Sequence, residues 1–103
     1  MVPAPRFRAL VGALPDVNEQ NHFDRTAWRV RRIFASLAPD GLSANLLLTP
    51  DQQRFRVELH PGVLAPIPGG FGARGWTTVD LSTAEEALVE TLLAEAHANG
   101  ARR

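Results

Sequence analysis

"GGFGARGWTTVD", residues 69–80, decides the fold of this 103-residue chain. It contains Gly70-Phe71-Gly72-Ala73-Arg74-Gly75, a literal match to G-x-G-x-x-G. In a dinucleotide-binding fold a strand precedes such glycines and a helix N-terminus follows at once, because the first helical amides hold the pyrophosphate. Here Gly75 runs into "WTTVDL", where Trp76, Thr78 and Asp80 alternate with Thr77, Val79 and Leu81, which is strand periodicity. "VLAPI" (63–67) before the loop reads as a short strand, edge or interrupted at Pro66. The acid expected about 20 positions on, at the end of a second strand, falls instead in a helical stretch. The match is accidental. The glycines read as a mobile connection between two strands, at positions that need positive φ.

Downstream, Ser82-Thr83-Ala84-Glu85 has the form of a capping box. It opens a long helix whose Leu88, Val89, Leu92, Leu93 and Ala96 form a buried stripe, ended by Asn99-Gly100. Upstream, "TPDQQRF" (49–55) opens a helix with Thr49 as cap, Pro50 at the first position and Asp51 in the first turn. Phe55 and Leu59 are its expected inward residues, and His60-Pro61-Gly62 closes it. "TAWRV" (26–30), "IFASLA" (33–38) and "LSANLLL" (42–48) form a meander, turned by Arg31-Arg32 and by Pro39-Asp40-Gly41. Along the middle strand Ile33, Ala35 and Leu37 point one way and Phe34 the other. "DVNEQNHF" (16–23) reads as a polar loop. Phe7, Leu10, Val11 and Leu14 make one stripe of a first helix that Pro15 ends. The order α-β-β-β-α-β-β-α predicts an α+β fold of two layers, a five-stranded antiparallel sheet with helices packed on one face. Residues 1–103 form a single domain.

The chain is long enough to bury a core without disulfides or metals. It has no cysteine, which excludes a disulfide framework, a thiolate zinc site and a cysteine nucleophile. No apolar run approaches the roughly 20 residues that span a bilayer, so no membrane partner is expected. "MVPAPRFRALVGALPD" carries arginines where a signal peptide needs its apolar core, so a cytoplasmic protein is the expectation. Net charge is zero, and all 11 basic residues are arginine. Seven of them lie between Arg25 and Arg74 against three acids, while Asp80 to Glu95 holds five acids and no base. This pattern fits a dipolar molecule with one basic region, or a solvated surface on which arginine replaces lysine throughout.

Catalysis needs a nucleophile with its base, a ligand cluster or a carboxylate pair in a cleft. His22, His60 and His97 are far apart and read as surface or capping residues, with no metal-ligand spacing. Glu86 and Glu90 read as a solvated face, and no serine has a base nearby in sequence. A non-enzymatic protein without metal or cofactor is expected.

"ALPDV", "WRVRRIFASL", "TPDQQRF", "HPGV", "PIPGGFGARGWTTVDL" and the terminal amphipathic helix together resemble the MmcQ/YjbR family of small bacterial proteins. The likeness runs from about Arg8 to His97, and its most specific pieces are Val30 to Ala35 and Gly75-Trp76-Thr77-Thr78-Val79. The resemblance implies a compact α+β fold with a five-stranded antiparallel sheet. It also implies a DNA-binding role, by analogy with a double-winged phage transcription factor domain, which is a fold-level inference. Many relatives place a glycine in the first hairpin, where this chain has Arg31-Arg32 and one residue fewer. The family supplies no catalytic residue.

The sharper functional expectation is therefore nucleic-acid binding through arginine-bearing hairpin loops. Arg29, Arg31 and Arg32 cluster at the first hairpin, and Arg74 with Trp76 flanks the glycine loop; arginine suits phosphate and an aromatic ring suits stacking. Trp28 and Trp76 have a second reading as core residues. The alternative is a protein-interaction or homodimerisation module, since a one-sided antiparallel sheet leaves a face or edge open to a peptide or a second copy.

Overall fold

Ten elements follow one another in the computed structural model, which describes every residue from Met1 to Arg103. The first helix, α1 (Ala4–Gly12), starts with Pro5 where an amide would have no partner, and it buries Phe7 and Val11. Then come β1 (Asn18–His22), β2 (Arg25–Arg29), β3 (Ile33–Leu37), β4 (Ser43–Leu47), α2 (Pro50–Leu59), β5 (Leu64–Pro66), α3 (Gly70–Ala73), β6 (Trp76–Asp80) and α4 (Glu86–Ala101). The strands form one antiparallel sheet in the order β1-β2-β3-β4-β6-β5. Helices α1 and α4 lie on one face. Trp28, Ala35, Leu37, Ala44, Leu46 and Val79 meet Phe7, Val11, Val89, Leu92, Leu93 and Ala96 there, all of them buried. Each large side chain removed from water contributes about 1.5–3 kcal/mol. The α+β architecture is as expected, with six strands in place of five.

The additional strand is β1, in the segment expected to be a polar loop. All five of its residues are exposed, and it pairs with β2 from Asn18↔Arg29 to His22↔Arg25. It buries no side chain, so apolar alternation could not reveal it; its backbone bonds hold it, and its polar surface suits an edge strand. Phe23 and Asp24 make the two-residue turn, with Phe23 at φ 59.

Four local expectations are corrected. Trp28 pairs with Ala35 but Arg29 with Ile33, so Phe34 is the extra residue of a β-bulge. Phe34 turns into the core beside Ala35, and Ile33 faces the opposite side of the sheet. Helix α2 has the Thr49 cap with both bonds of a capping box, yet Phe55 and Leu59 point to solvent. The helix docks through half-buried Val57, packed against the core, and through buried Gln53, whose Nε2 donates to the carbonyls of Gly72 and Trp76 at 3.0 Å each and to Thr77 Oγ1 at 3.2 Å. Ser82 does not cap α4: its hydroxyl donates to Asp80 Oδ1 at 2.6 Å, and the helix starts after Glu85. Nor does Asn99-Gly100 end it. Both are buried inside the last turn, where a Cβ on Gly100 would lie 2.8 Å from that of Phe34.

The glycine segment is a turn of helix, α3, not a loose connection. Gly69 (φ 86) and Gly75 (φ 110) adopt the positive φ expected of the loop glycines, whereas Gly70 and Gly72 do not and are helical. Gly72 and Gly75 answer a second need, because another backbone passes where a side chain would stand. A Cβ would sit 1.6 Å from the Ile67 carbonyl oxygen at Gly72 and 1.9 Å from that of Leu48 at Gly75. Gly75→Ala is expected to destabilise the protein by about 3 kcal/mol or more in chemical denaturation. Gly12→Ala, with no heavy atom within 4 Å of its new methyl, should leave stability unchanged or slightly raised. Equal stability of the two variants would contradict the close-approach account.

Candidate nucleic-acid interface

The bulge that turns Phe34 inward also sets what the other sheet face presents. Alternation along the strands places Arg25 and Arg29 of β2, Ile33 and Ser36 of β3, Asn45 and Leu47 of β4, and Trp76 and Thr78 of β6 on the side away from α1 and α4. A groove of about 420 Å³ runs over this face. Phe23, at the β1–β2 turn and 95% exposed, stands on one side. Phe71, carried by α3 and 60% exposed, stands on the other with Ile67. Trp76 and Ile33 complete the apolar lining, and Arg25, Ser36 and Asn45 supply its polar part. His22 lines it too and meets the Phe23 ring edge-on at 4.8 Å.

A smaller concavity of about 150 Å³ lies at the end of the sheet, where β3 and β6 begin beside the end of β4 and the last turn of α4. Arg32, Arg74 and Arg102 line it together with Thr49, Pro50 and Asn99, and no carboxylate does. The two depressions share their supports: Arg32 precedes Ile33, Arg74 lies two residues before Trp76, and Leu47, a neighbour of the small concavity, is the register partner of Trp76. Arg32 is tied to the end of α4. Its guanidinium donates to the Asn99 carbonyl at 2.7 Å and its backbone amide to that of Gly100 at 3.1 Å, where helix carbonyls favour a cation. Arg74 stacks on Phe71, 5.8 Å from the ring centroid.

The charge asymmetry seen in the sequence becomes spatial here. The ion pairs are Arg6–Glu86, Arg8–Glu19, Arg54–Asp51 and Arg56–Glu95, so two acids of α4 already have arginine partners. Arg32, Arg74 and Arg102 have none. Asp80 is held below the usual carboxylate range by bonds from Ser82 and Thr83, and Glu86 by Arg6. In the groove, burial pulls the Arg25 guanidinium below its ordinary value, with Asp24 and Asp40 acting the other way.

The structure thus brings Arg32 and Arg74 to one concavity and places half-buried Trp76 in the groove beside it. Arg29 and Arg31 are exposed on β2 and at the hairpin turn but line neither depression. Trp28 is core, edge-on to Phe7 with centroids 5.7 Å apart. Sequence reasoning missed Arg102, because α4 was expected to stop before it. It also passed over Phe23 and Phe71, whose signal was a lone large aromatic in a polar or glycine-rich setting.

Comparison with known proteins agrees with this architecture. The YjbR family model matches residues 12–99. The crystal structure of Deinococcus radiodurans protein DR2400, described as a DUF419 domain, superposes with a TM-score of 0.80 at 24% identity, covering 93% of this chain and 76% of that one. A Pseudomonas syringae protein superposes with a TM-score of 0.72 at 13% identity, covering 93% and 97%. At such identities the likeness is one of fold. No curated protein matches the chain. No helix is long and apolar enough to cross a membrane. With the family model spanning nearly its whole length, the chain belongs to the YjbR family.

Proposed function

We propose that this protein binds nucleic acid as a single strand and performs no chemical step on it. One observation carries the proposal: three arginines without carboxylate partners line a concavity at the end of the sheet, one and two residues in sequence from Ile33 and Trp76 of the aromatic groove on the open face. Guanidinium groups match phosphate oxygens in geometry and charge. Trp76 and Phe71 offer π-faces on which an unpaired base stacks, a contact worth about 1–3 kcal/mol per base. A duplex fits less well, because stable duplex binding draws on roughly 6–10 phosphate contacts. This surface offers Arg32, Arg74 and Arg102, with Arg29 and Arg31 of the first hairpin nearby. A second copy of the chain is the other occupant that the exposure of Phe23 and Phe71 suggests.

The test is a titration with single-stranded and duplex DNA followed by tryptophan fluorescence. Trp76 lines the groove while Trp28 is buried and serves as a constant background. Single strands should quench the signal, and a tenfold rise in salt should weaken binding by about 100-fold if three phosphates are neutralised. Arg74→Ala combined with Arg102→Ala should cost at least about tenfold in affinity with unfolding unchanged, since neither side chain makes a hydrogen bond or ion pair. No quenching at low salt, with a mass that rises with protein concentration, would replace this reading by self-association.

A further inference from the structure

The polar part of the groove has a chemistry that stacking does not use. Arg25 Nε donates to Ser36 Oγ at 3.0 Å, and one terminal nitrogen reaches the Ser36 carbonyl at 3.5 Å. The guanidinium is therefore braced against β3, has no carboxylate bound to it, and lines the groove with donors to spare. Across the sheet, Asn45 Oδ1 accepts from Thr78 Oγ1 at 2.8 Å. That bond orients the amide and leaves Nδ2 without a protein acceptor in a residue that lines the groove. No aspartate or glutamate lines the groove. A base entering this groove, which Phe71 and Trp76 also line, meets a guanidinium and an amide NH2, and it is favoured when it presents adjacent acceptors.

We infer that the groove is a guanine-selective base pocket, in which Arg25 and Asn45 are the residues that read the base. This rests on the single-strand reading above and adds a specificity to it. Guanine presents O6 and N7 side by side, the pair that accepts a guanidinium in bidentate fashion. Adenine places its N6 amino group beside N7 and sets a donor against donors. Cytosine has adjacent acceptors, but one lies next to the glycosidic bond, and its single ring fills less of the groove. Thymine interposes an N–H between its two carbonyls.

The experiment compares thymidine oligomers of about 11 nucleotides carrying a single central guanine, adenine, cytosine or thymine, with guanosine monophosphate alongside. The guanine oligomer should bind about tenfold more tightly than the other three. Arg25→Lys keeps the charge but not the fork, and should reduce that preference to less than about threefold while the all-thymidine oligomer keeps its affinity and salt dependence. Asn45→Asp retains the bond from Thr78 and replaces a donor by an acceptor, so it should abolish or reverse the preference. Equal binding of the four oligomers, or a preference for adenine or cytosine, would overturn the guanine pocket and leave strand binding intact. Failure of every oligomer to bind would remove both. Guanosine monophosphate binding as tightly as the oligomer would overturn the strand as the occupant.

Discussion

No side chain fits between Gly75 and the Leu48 carbonyl, or between Gly72 and the Ile67 carbonyl, and the open face is built on that exclusion. The contact zippers β6 against its neighbours: the Leu48 amide donates to the Gly75 carbonyl at 3.2 Å and that of Ile67 to the Trp76 carbonyl at 3.0 Å. Gln53 closes it from the helix side by donating to Gly72, Trp76 and Thr77. The turn of helix α3, pinned at Gly72 and at Gly75 just beyond it, is fixed in place as a result. Phe71, Arg74 and Trp76, all carried by this segment, are held on a braced support, and a ligand that meets them loses less freedom than it would on a mobile loop.

The second organising feature is the way charge is partitioned across a molecule of zero net charge. All 11 Lys and Arg residues are arginine, and four of them are ion-paired. Arg6 and Arg56 spend their charge on Glu86 and Glu95 of α4, on the helical side of the sheet. Arg32, Arg74 and Arg102 keep theirs at one end of the sheet, where β3 and β6 begin beside the last turn of α4. A polyanion would therefore meet free guanidinium groups at the C-terminal end of α4 and partly neutralised carboxylates along the helix, and such a field would orient it before contact.

Much of the fold was legible because burial leaves a period in the sequence. The Phe7–Val11 spacing, the alternation of Trp76 to Asp80 and the Val89–Ala96 stripe all report a face that must leave water. Thr49-Pro50-Asp51 was legible for a local reason, since a helix start satisfies its amides with a small set of residues. What escaped lacked such a period. Strand β1 buries nothing, the bulge at Phe34 breaks alternation by one residue, and α2 docks with an amide where Phe55 and Leu59 promised an apolar face. Ser82 has the sequence of a cap, but Asp80 takes its hydroxyl. For the site, Arg32, Arg74 and Trp76 were visible as residues, but their convergence with Arg102 depends on α4 running to Ala101 and on β3 and β6 ending side by side with β4.

The most direct measurement is a map of backbone amide chemical-shift changes on adding a short single-stranded oligonucleotide. The account requires the largest changes at Arg32, Ile33, Asn45 and Phe71 to Trp76, with the amides of Asn18 to Gln20 and the first turns of α4 left in place. Changes confined to the β1 edge or to the acidic half of α4, with Arg74 and Trp76 unmoved, would contradict it.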